Sequence, residues 1–157
     1  MIKRIYVFDI DGVLLDSSHR FKTDPVTHKI DLPYWKENCT PEKVAQDKPL
    51  PTANLYKKLL LNPSAYVIIA TARVMAKADW QSIEKHLGMP NHFIHRKVGD
   101  MQSGVTLKGN ALKRLFTLKQ FSGKMVTFFE DNIDYLHGLT KMGLIHQPVY
   151  IHSKQGV

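Results

Sequence analysis

The chain has 157 residues, a single cysteine and a formal net charge of +8. Hydrophobic residues make up 43% of it and charged residues 23%, which excludes a largely disordered protein and an internal disulfide. No leader-like segment or membrane-length apolar run is seen, so we expect a cytoplasmic protein with no membrane partner. The basic balance favours a polyanionic partner such as nucleic acid, although a solvated lysine-rich surface explains the charge equally well.

The first predicted element lies in the stretch from Ile5 to Asp16. An apolar, partly β-branched run ends in Asp9, and Asp11 and Gly12 follow after one residue. This pattern predicts a buried parallel strand that brings two carboxylates to its C-terminal end, where open α/β sheets bind ligands. Two acids this close repel each other unless a cation lies between them, and Mg²⁺ is the usual oxygen-seeking cation. The alternative is a plain turn in which Asp and Gly serve only the backbone.

Residues 17–48 follow, with Pro25, Pro33 and Pro41 among them and no sustained hydrophobic period. We interpret this stretch, called the flap below, as a small irregular insert with one short helix near Tyr34 to Asn38. It is too short to form a large cap domain, so we expect a rather open site.

Helices and strands alternate over the rest of the chain. The predicted strands are Tyr66–Ala70, His92–His95, Met125–Phe129 and Val149–Ile151. Four helices are predicted here. The first begins at Pro49, the second begins near Ala76, and the other two cover Val105–Phe121 and Ile133–Met142. This alternation predicts a single domain over residues 1–157 with a Rossmann-like, three-layer α/β/α fold and a central parallel sheet of about five strands.

Polar side chains follow three of these strands at the same edge of the predicted sheet. They are Asp9 and Asp11, then Thr71, then Glu130 and Asp131, and Lys108 begins the helix before the last pair. A carboxylate can attack phosphorus, and a second one can protonate the leaving oxygen and then activate water. A hydroxyl and an ammonium can hold the phosphoryl oxygens, and Mg²⁺ can neutralise the remaining charge.

This ordered set resembles the haloacid dehalogenase-like (HAD) phosphatase superfamily. Its four motifs are matched by Asp9-Ile-Asp11-Gly12-Val13, by Thr71, by Lys108 and by Glu130-Asp131. The resemblance implies that Asp9 is the nucleophile and a Mg²⁺ ligand. It also implies that Asp11 is the general acid and base and that its backbone carbonyl is a metal ligand. Asp131 then completes the metal site. Thr71 and Lys108 are then the phosphate-binding residues.

A finer resemblance is to the phosphatase domain of phage-type polynucleotide kinase–phosphatases. It rests on Asp16-Ser-Ser-His19-Arg20, Tyr34-Trp35, Asp47-Lys48-Pro49, Thr71-Ala-Arg73 and Trp80. That group removes 3′-phosphates from nucleic acid ends. The kinase half has no counterpart here, since the sequence contains no phosphate-binding loop of the Walker type.

Several of these positions have a second interpretation. Lys113 lies on the same predicted helix and is the alternative to Lys108. Thr71 could cap the helix after it. Arg73 is either a phosphate clamp or part of a surface ion pair. The remaining candidates, for outer-shell or substrate contacts, are Glu130, Asn132, His19 and Arg20.

We therefore expect a Mg²⁺-dependent phosphomonoester hydrolase that forms an aspartyl-phosphate, with a polynucleotide 3′-phosphatase as the first choice. A nucleotidase-like phosphatase for free nucleotides or other small metabolites is the alternative enzyme. A nucleic-acid-binding module with a vestigial site is the alternative outside enzymes. The expected partner is a phosphorylated nucleic acid end or a nucleotide.

Overall fold

The computed structural model describes residues 1–153, so the last four residues of the predicted domain lie outside the described range. The strands are β1 (Arg4–Phe8), β2 (Leu15–Asp16), β3 (Lys48–Pro49), β4 (Ala65–Val74), β5 (His92–Arg96), β6 (Met125–Glu130) and β7 (Gln147–Tyr150). The helices are α1 (Leu32–Glu37), α2 (Pro41–Val44), α3 (Thr52–Leu60), α4 (Lys77–His86), α5 (Gly104–Leu115) and α6 (Ile133–Lys141). Short 3₁₀ turns cover Ser18–Arg20 and Lys119–Phe121.

Five strands form one parallel sheet in the order β5-β4-β1-β6-β7, which confirms the predicted fold class. Strand β1 lies at the centre, with β4 on one side and β6 on the other. The chain therefore runs outward from β1 in both directions, and a crevice opens at the carboxyl end of this strand. Asp9 follows β1 directly at that point.

Two apolar clusters cover the two faces of the sheet. One contains Phe8 of β1 with Tyr56 of α3 and Ile83 of α4, and the stacked rings of Phe8 and Phe129 have centroids 4.5 Å apart. The other cluster contains Val7 of β1, together with residues from α5 and α6. Successive residues of β1 thus pack against opposite helical layers, as the pleat of a strand requires. The result is a three-layer α/β/α arrangement.

Several element boundaries differ from the prediction, and three of these differences have a clear cause or consequence. Strand β4 continues past Ala70 to Val74, so Thr71 lies inside a strand, and α4 is preceded by Ala76 as its N-cap. Helix α3 begins at Thr52 because Lys48 and Pro49 pair with β2 instead. Helix α5 ends at Leu115, where the Thr117 hydroxyl donates to the Arg114 carbonyl (2.6 Å) and competes with helical bonding.

The flap is more ordered than its sequence suggests. The β2–β3 pair closes its base, and α1 and α2 begin at the side-chain caps Asp31 and Thr40. In its interior the fully buried Arg20 donates to both carboxylate oxygens of Asp47, at 2.9 and 2.8 Å. Within residues 1–153, no helix has both the length and the apolar character that a bilayer crossing demands.

Candidate active site

The site floor lies where the three central strands reach their carboxyl ends. The register pairs Phe8 with Ile69 of β4 and with Phe129 of β6, so the next residue, Asp9, is level with Ala70 of β4 and with Glu130, the last residue of β6. The Asp9 backbone N–H donates to the Phe129 carbonyl at 3.1 Å, which holds the start of the loop against β6. Thr71 follows on one side of Asp9 and Glu130 on the other. The parallel register therefore brings together residues that are far apart in the chain.

Lys108 connects the acids of this floor. Its side chain is only 1% exposed, and its Nζ lies 3.1 Å from Asp9 Oδ1 and 2.7 Å from Glu130 Oε2. Burial disfavours the ammonium, but the carboxylates of Asp9 and Glu130 outweigh burial and raise the pKa of Lys108. Lys113, the alternative, is exposed on the same helix. Of the two lysines, only Lys108 lies in the site.

Glu130 and Asn132 shape the turn between β6 and α6. Glu130 Oε1 accepts hydrogen bonds from the backbone N–H groups of Asp131 (3.1 Å) and Asn132 (3.3 Å). Asn132 Oδ1 in turn accepts from the backbone N–H groups of Asp134 and Tyr135 and caps α6. Both residues therefore shape the turn that carries Asp131.

The chemistry of the acids fits a divalent cation. Carboxylate oxygens of Asp9, Glu130 and Asp131 lie within 4.8 Å of one another, and Asp131 Oδ1 is buried with no hydrogen-bond partner within residues 1–153. Burial, and then the neighbouring Glu130, raises the pKa of Asp9, while burial and the Asp9 carboxylate raise that of Asp131 to about 7. Three carboxylates beside one ammonium carry an excess negative charge that an oxygen-seeking Mg²⁺ would balance. Asp9 and Asp131 are the residues that would hold it.

Asp131 is fixed by two close neighbours. Ser153 Oγ donates to its Oδ2 at 3.0 Å, which leaves Oδ1 as the open ligand atom. Gly12 has a φ of +76°, and a Cβ built on it would lie 2.0 Å from Asp131 Oδ2. Only glycine therefore combines this turn with this carboxylate position.

Asp11 is bound by Arg73 in a bidentate ion pair. Arg73 Nε donates to Asp11 Oδ2 at 3.0 Å and an Nη to Oδ1 at 2.5 Å, while Ser17 Oγ also donates to Oδ1 at 2.6 Å. Burial by itself raises the pKa of Asp11, but Arg73 and Ser17 more than offset burial and lower it. The same guanidinium bonds Asp47 and Asp79. Of the two interpretations of Arg73, a phosphate clamp and an ion pair, this arrangement has the ion pair, and the pair is buried rather than at the surface.

His19 and Arg20 belong to the same network rather than to the cavity wall. The Arg20 guanidinium lies 4.4 Å from the Trp35 ring centroid, and that of Arg73 lies 5.6 Å from it. His19 Nε2 lies 2.7 Å from the Lys43 carbonyl oxygen and 3.5 Å from Asp47 Oδ1. In the described part of the chain, the cavity lining includes neither residue. Their contacts hold the flap against Arg73, and so indirectly against Asp11.

A cavity of about 320 Å³ opens above the floor. Its lining includes Asp9, Asp11, Thr71, Lys108 and Asp131 at the bottom. Thr71 Oγ1 accepts a bond from the Arg73 backbone N–H at 3.1 Å, so the hydroxyl proton remains available to a ligand. The predicted phosphate-binding pair, Thr71 and Lys108, thus lies beside Asp9 in one cavity.

Two further residues, Tyr135 and Arg96, belong to the site and are not among the candidates from the sequence. The Tyr135 ring lies against Lys108, with Nζ 5.2 Å from its centroid, and packs where a Cβ on Gly104 would not fit. Arg96 also lines the cavity. Tyr135 lies three residues after Asn132, the N-cap of α6, and Arg96 is the last residue of β5. Neither position in the sequence is enough to predict a site residue.

The parallel sheet with acids and a lysine at its carboxyl edge is the fold of haloacid dehalogenase-like hydrolases. Solved structures share the fold. A haloacid dehalogenase-like family hydrolase from Streptococcus pneumoniae matches with a TM-score of 0.63 at 13% identity, over 94% of this chain and 84% of that one. The HAD domain of an effector protein from Legionella pneumophila matches at 0.61 and 12%, over 96% and 84%. A chain of the Pnkp1/Rnl/Hen1 RNA repair complex matches at 0.58 and 17%, over 96% and 42%.

The family is shown by the sequence comparison. The model of the family described as bacteriophage T5 5′-deoxynucleotidase matches residues 1–95, and the chain belongs to this family. The 5′-deoxynucleotidase of Escherichia phage T5 is 30% identical over 89 residues, which cover 54% of this chain. The match spans 35% of that relative, so the chain corresponds to about a third of its length.

Proposed function

We propose that this protein removes the 5′-phosphate from deoxynucleoside monophosphates, with Asp9 as the nucleophile. The observation that carries the proposal is the buried 3.1 Å contact between Lys108 Nζ and Asp9 Oδ1 at the floor of the cavity. A carboxylate beside a fixed ammonium is suited to attack phosphorus, because the ammonium can also neutralise the phosphoryl oxygens. The description of the family as a 5′-deoxynucleotidase supports the choice of substrate.

In the first step, an Asp9 carboxylate oxygen forms a bond to phosphorus while the bond from phosphorus to the sugar 5′ oxygen breaks. The leaving oxygen takes a proton from Asp11 and departs as an alcohol. Arg73 lowers the pKa of Asp11 and keeps it ionised in the resting protein, so this proton has to arrive with the substrate. A phosphate bound as its monoanion carries one proton, and it passes this proton to Asp11 before the bond to the sugar oxygen breaks.

In the second step, water attacks the phosphorus of the aspartyl-phosphate, and the Asp11 carboxylate accepts a proton from that water. The bond between Asp9 and phosphorus breaks, which restores the carboxylate and releases inorganic phosphate. The Thr71 hydroxyl and the Lys108 ammonium hold the phosphoryl oxygens throughout. A bound Mg²⁺ would supply further positive charge to the phosphoryl group.

The test is phosphate release by the full chain, with Mg²⁺ and with EDTA, from a panel of substrates. The panel contains deoxynucleoside 5′-monophosphates, ribonucleoside 5′-monophosphates, deoxynucleoside 3′-monophosphates and a 3′-phosphorylated oligonucleotide. We expect the first group to have the highest kcat/KM. The Asp9→Asn variant, near-isosteric but a poor nucleophile, controls for contaminating phosphatases and should be inactive. Preference for another substrate overturns the assignment, and wild-type rates from Asp9→Asn overturn the nucleophile.

A second candidate is a polynucleotide 3′-phosphatase, favoured by the net charge of +8. If a basic surface guides a polyanion, activity on the oligonucleotide falls steeply with rising salt while activity on a mononucleotide changes little. Equal salt dependence on both substrates counts against this candidate. Oligonucleotide binding that EDTA leaves unchanged, without any phosphate release, would instead favour a binding module with a vestigial site.

A further inference from the structure

The upper walls of the cavity carry apolar side chains that the phosphoryl chemistry does not use. The flap wall consists of Phe21, Ile30, Leu32 and Trp35, and Met101 lies in the lining on the loop between β5 and α5. Leu32 is 54% exposed and Met101 is 91% exposed. Large apolar residues that stay exposed at the mouth of a charged cavity indicate the place of an apolar part of a ligand.

The loop that carries Met101 is held in place by Arg96. Arg96 Nε donates to the Ala72 carbonyl at 2.9 Å, and one Nη donates to the carbonyls of Asp100 (2.9 Å) and Gln102 (2.7 Å). Ala72 lies on β4 directly after Thr71. The position of the Met101 loop is therefore set relative to the phosphate-binding strand.

The flap wall is held as firmly on its own side. The Asp31 side chain caps α1 by accepting from the Tyr34 N–H at 3.0 Å, and Asn38 Nδ2 donates to the Tyr34 carbonyl at 2.7 Å. The Trp35 ring packs against the buried Arg20, which is itself paired with Asp47. Two walls anchored to the body of the protein form a preorganised cleft, which lowers the entropic cost of binding.

We infer that the cleft between the flap wall and Met101 binds the nucleobase of the substrate. This inference rests on the proposed function, because the phosphate has to lie at Asp9 for the base to reach the cleft. A flat aromatic group joined through a sugar to a phosphate matches a charged floor below apolar walls. In this cleft Leu32 and Met101 contact the nucleobase, and they therefore determine which nucleoside phosphates the site accepts.

The variants Leu32→Ala and Met101→Ala test the cleft. We expect the KM for a deoxynucleoside 5′-monophosphate to rise by about tenfold in each, with kcat nearly unchanged, because an apolar contact to a remote part of the substrate is lost. Deoxyribose 5-phosphate, which has no base, should be turned over equally by wild type and both variants. Val98→Ala is the matched control, since Val98 lies on the same loop, is 88% exposed and does not line the cavity.

The inference is overturned by an unchanged KM for the nucleotide in the variants, or by an equal rise in their KM for deoxyribose 5-phosphate. The inference is also overturned if the wild-type protein has the same kcat/KM for deoxyribose 5-phosphate as for the nucleotide. Failure of the proposed function has a different signature, in which wild type prefers a 3′-phosphorylated nucleotide or oligonucleotide. The same variants then test the cleft on that substrate, against a base-free ester.

Discussion

Lys108 Nζ lies 3.1 Å from Asp9 Oδ1, although 99 residues of chain separate the two. This contact is buried. Glu130, the second carboxylate that Lys108 contacts, is buried as well. One ammonium thus serves both the proposed nucleophile and the acid that shapes the β6–α6 turn. This relationship makes Lys108 the residue whose loss should affect activity and stability together.

Replacing Lys108 by Met should lower kcat/KM by at least about a hundredfold, because a donor to the phosphoryl oxygens is lost. It should also lower the free energy of unfolding by about 3–5 kcal/mol, since two buried carboxylates lose their counter-charge. Phosphate release and urea unfolding measure the two effects. Lys113→Met is the matched control, because Lys113 is exposed on the same helix and should behave like wild type. Loss of activity in Lys113→Met, with Lys108→Met active, would reverse the assignment.

Replacing Arg73 by Lys keeps a positive charge but removes the bidentate contact with Asp11. We expect kcat to fall by about 10- to 100-fold with little change in KM, because Asp11 loses its orientation. The pKa of Asp11 should rise when the guanidinium is removed, so the acidic limb of the pH–kcat profile should move to higher pH. A variant that raises KM but keeps kcat would show that Arg73 binds the phosphate after all.

Removal of Mg²⁺ should affect stability in a pH-dependent way. In the metal-free protein Asp131 has its pKa raised from 3.8 to about 7, so its stabilising contribution is present below 3.8 and is lost as pH rises towards 7. A cation bound by the ionised carboxylate should therefore increase Tm little at about pH 5 and most at about pH 8. Thermal unfolding with Mg²⁺ and with EDTA checks this, and Asp131→Asn should remove most of the difference. An equal Mg²⁺-dependent shift at both pH values would contradict the prediction.

Replacing Gly12 by Ala should cost more than backbone strain alone. The left-handed conformation costs an L-residue about 1–2 kcal/mol, and here the Cβ would also lie 2.0 Å from Asp131 Oδ2. Stability should fall and Mg²⁺-dependent activity should be lost, because Asp131 has to move. Gly123→Ala is the control, since Gly123 has a φ of +69° and nothing within 4 Å of its Cβ position. If both variants lose the same Tm and keep full activity, the close approach of residue 12 to Asp131 affects neither stability nor activity.

The fold was predictable because its signals are local. Apolar runs such as Tyr66–Ala70 and the helical spacing around Ile83 lie within single elements, and their alternation leaves few topologies open. The floor of the site was predictable for a related reason. Parallel strands end at the same edge of a sheet, so Asp9, Thr71 and Asp131 had to come near one another.

The partners of the charged side chains were not predictable in the same way. Arg73 lies 62 residues from Asp11 and 26 from Asp47, and nothing in its own segment separates a carboxylate partner from a phosphate. The flap sequence shows no sustained hydrophobic period, yet a buried ion pair between Arg20 and Asp47 orders the flap. Such contacts depend on the packing of several segments at once, which local patterns do not record.

The sequence alone determined the class of fold, the acids at the strand ends and their order along the chain, because period and spacing are properties of neighbouring residues. Only the tertiary structure decided between Lys108 and Lys113, paired Arg73 with Asp11, and brought Leu32 and Met101 into the lining of one cavity. Burial and distance between remote segments arise only when the chain is packed, and they set which charge pairs with which.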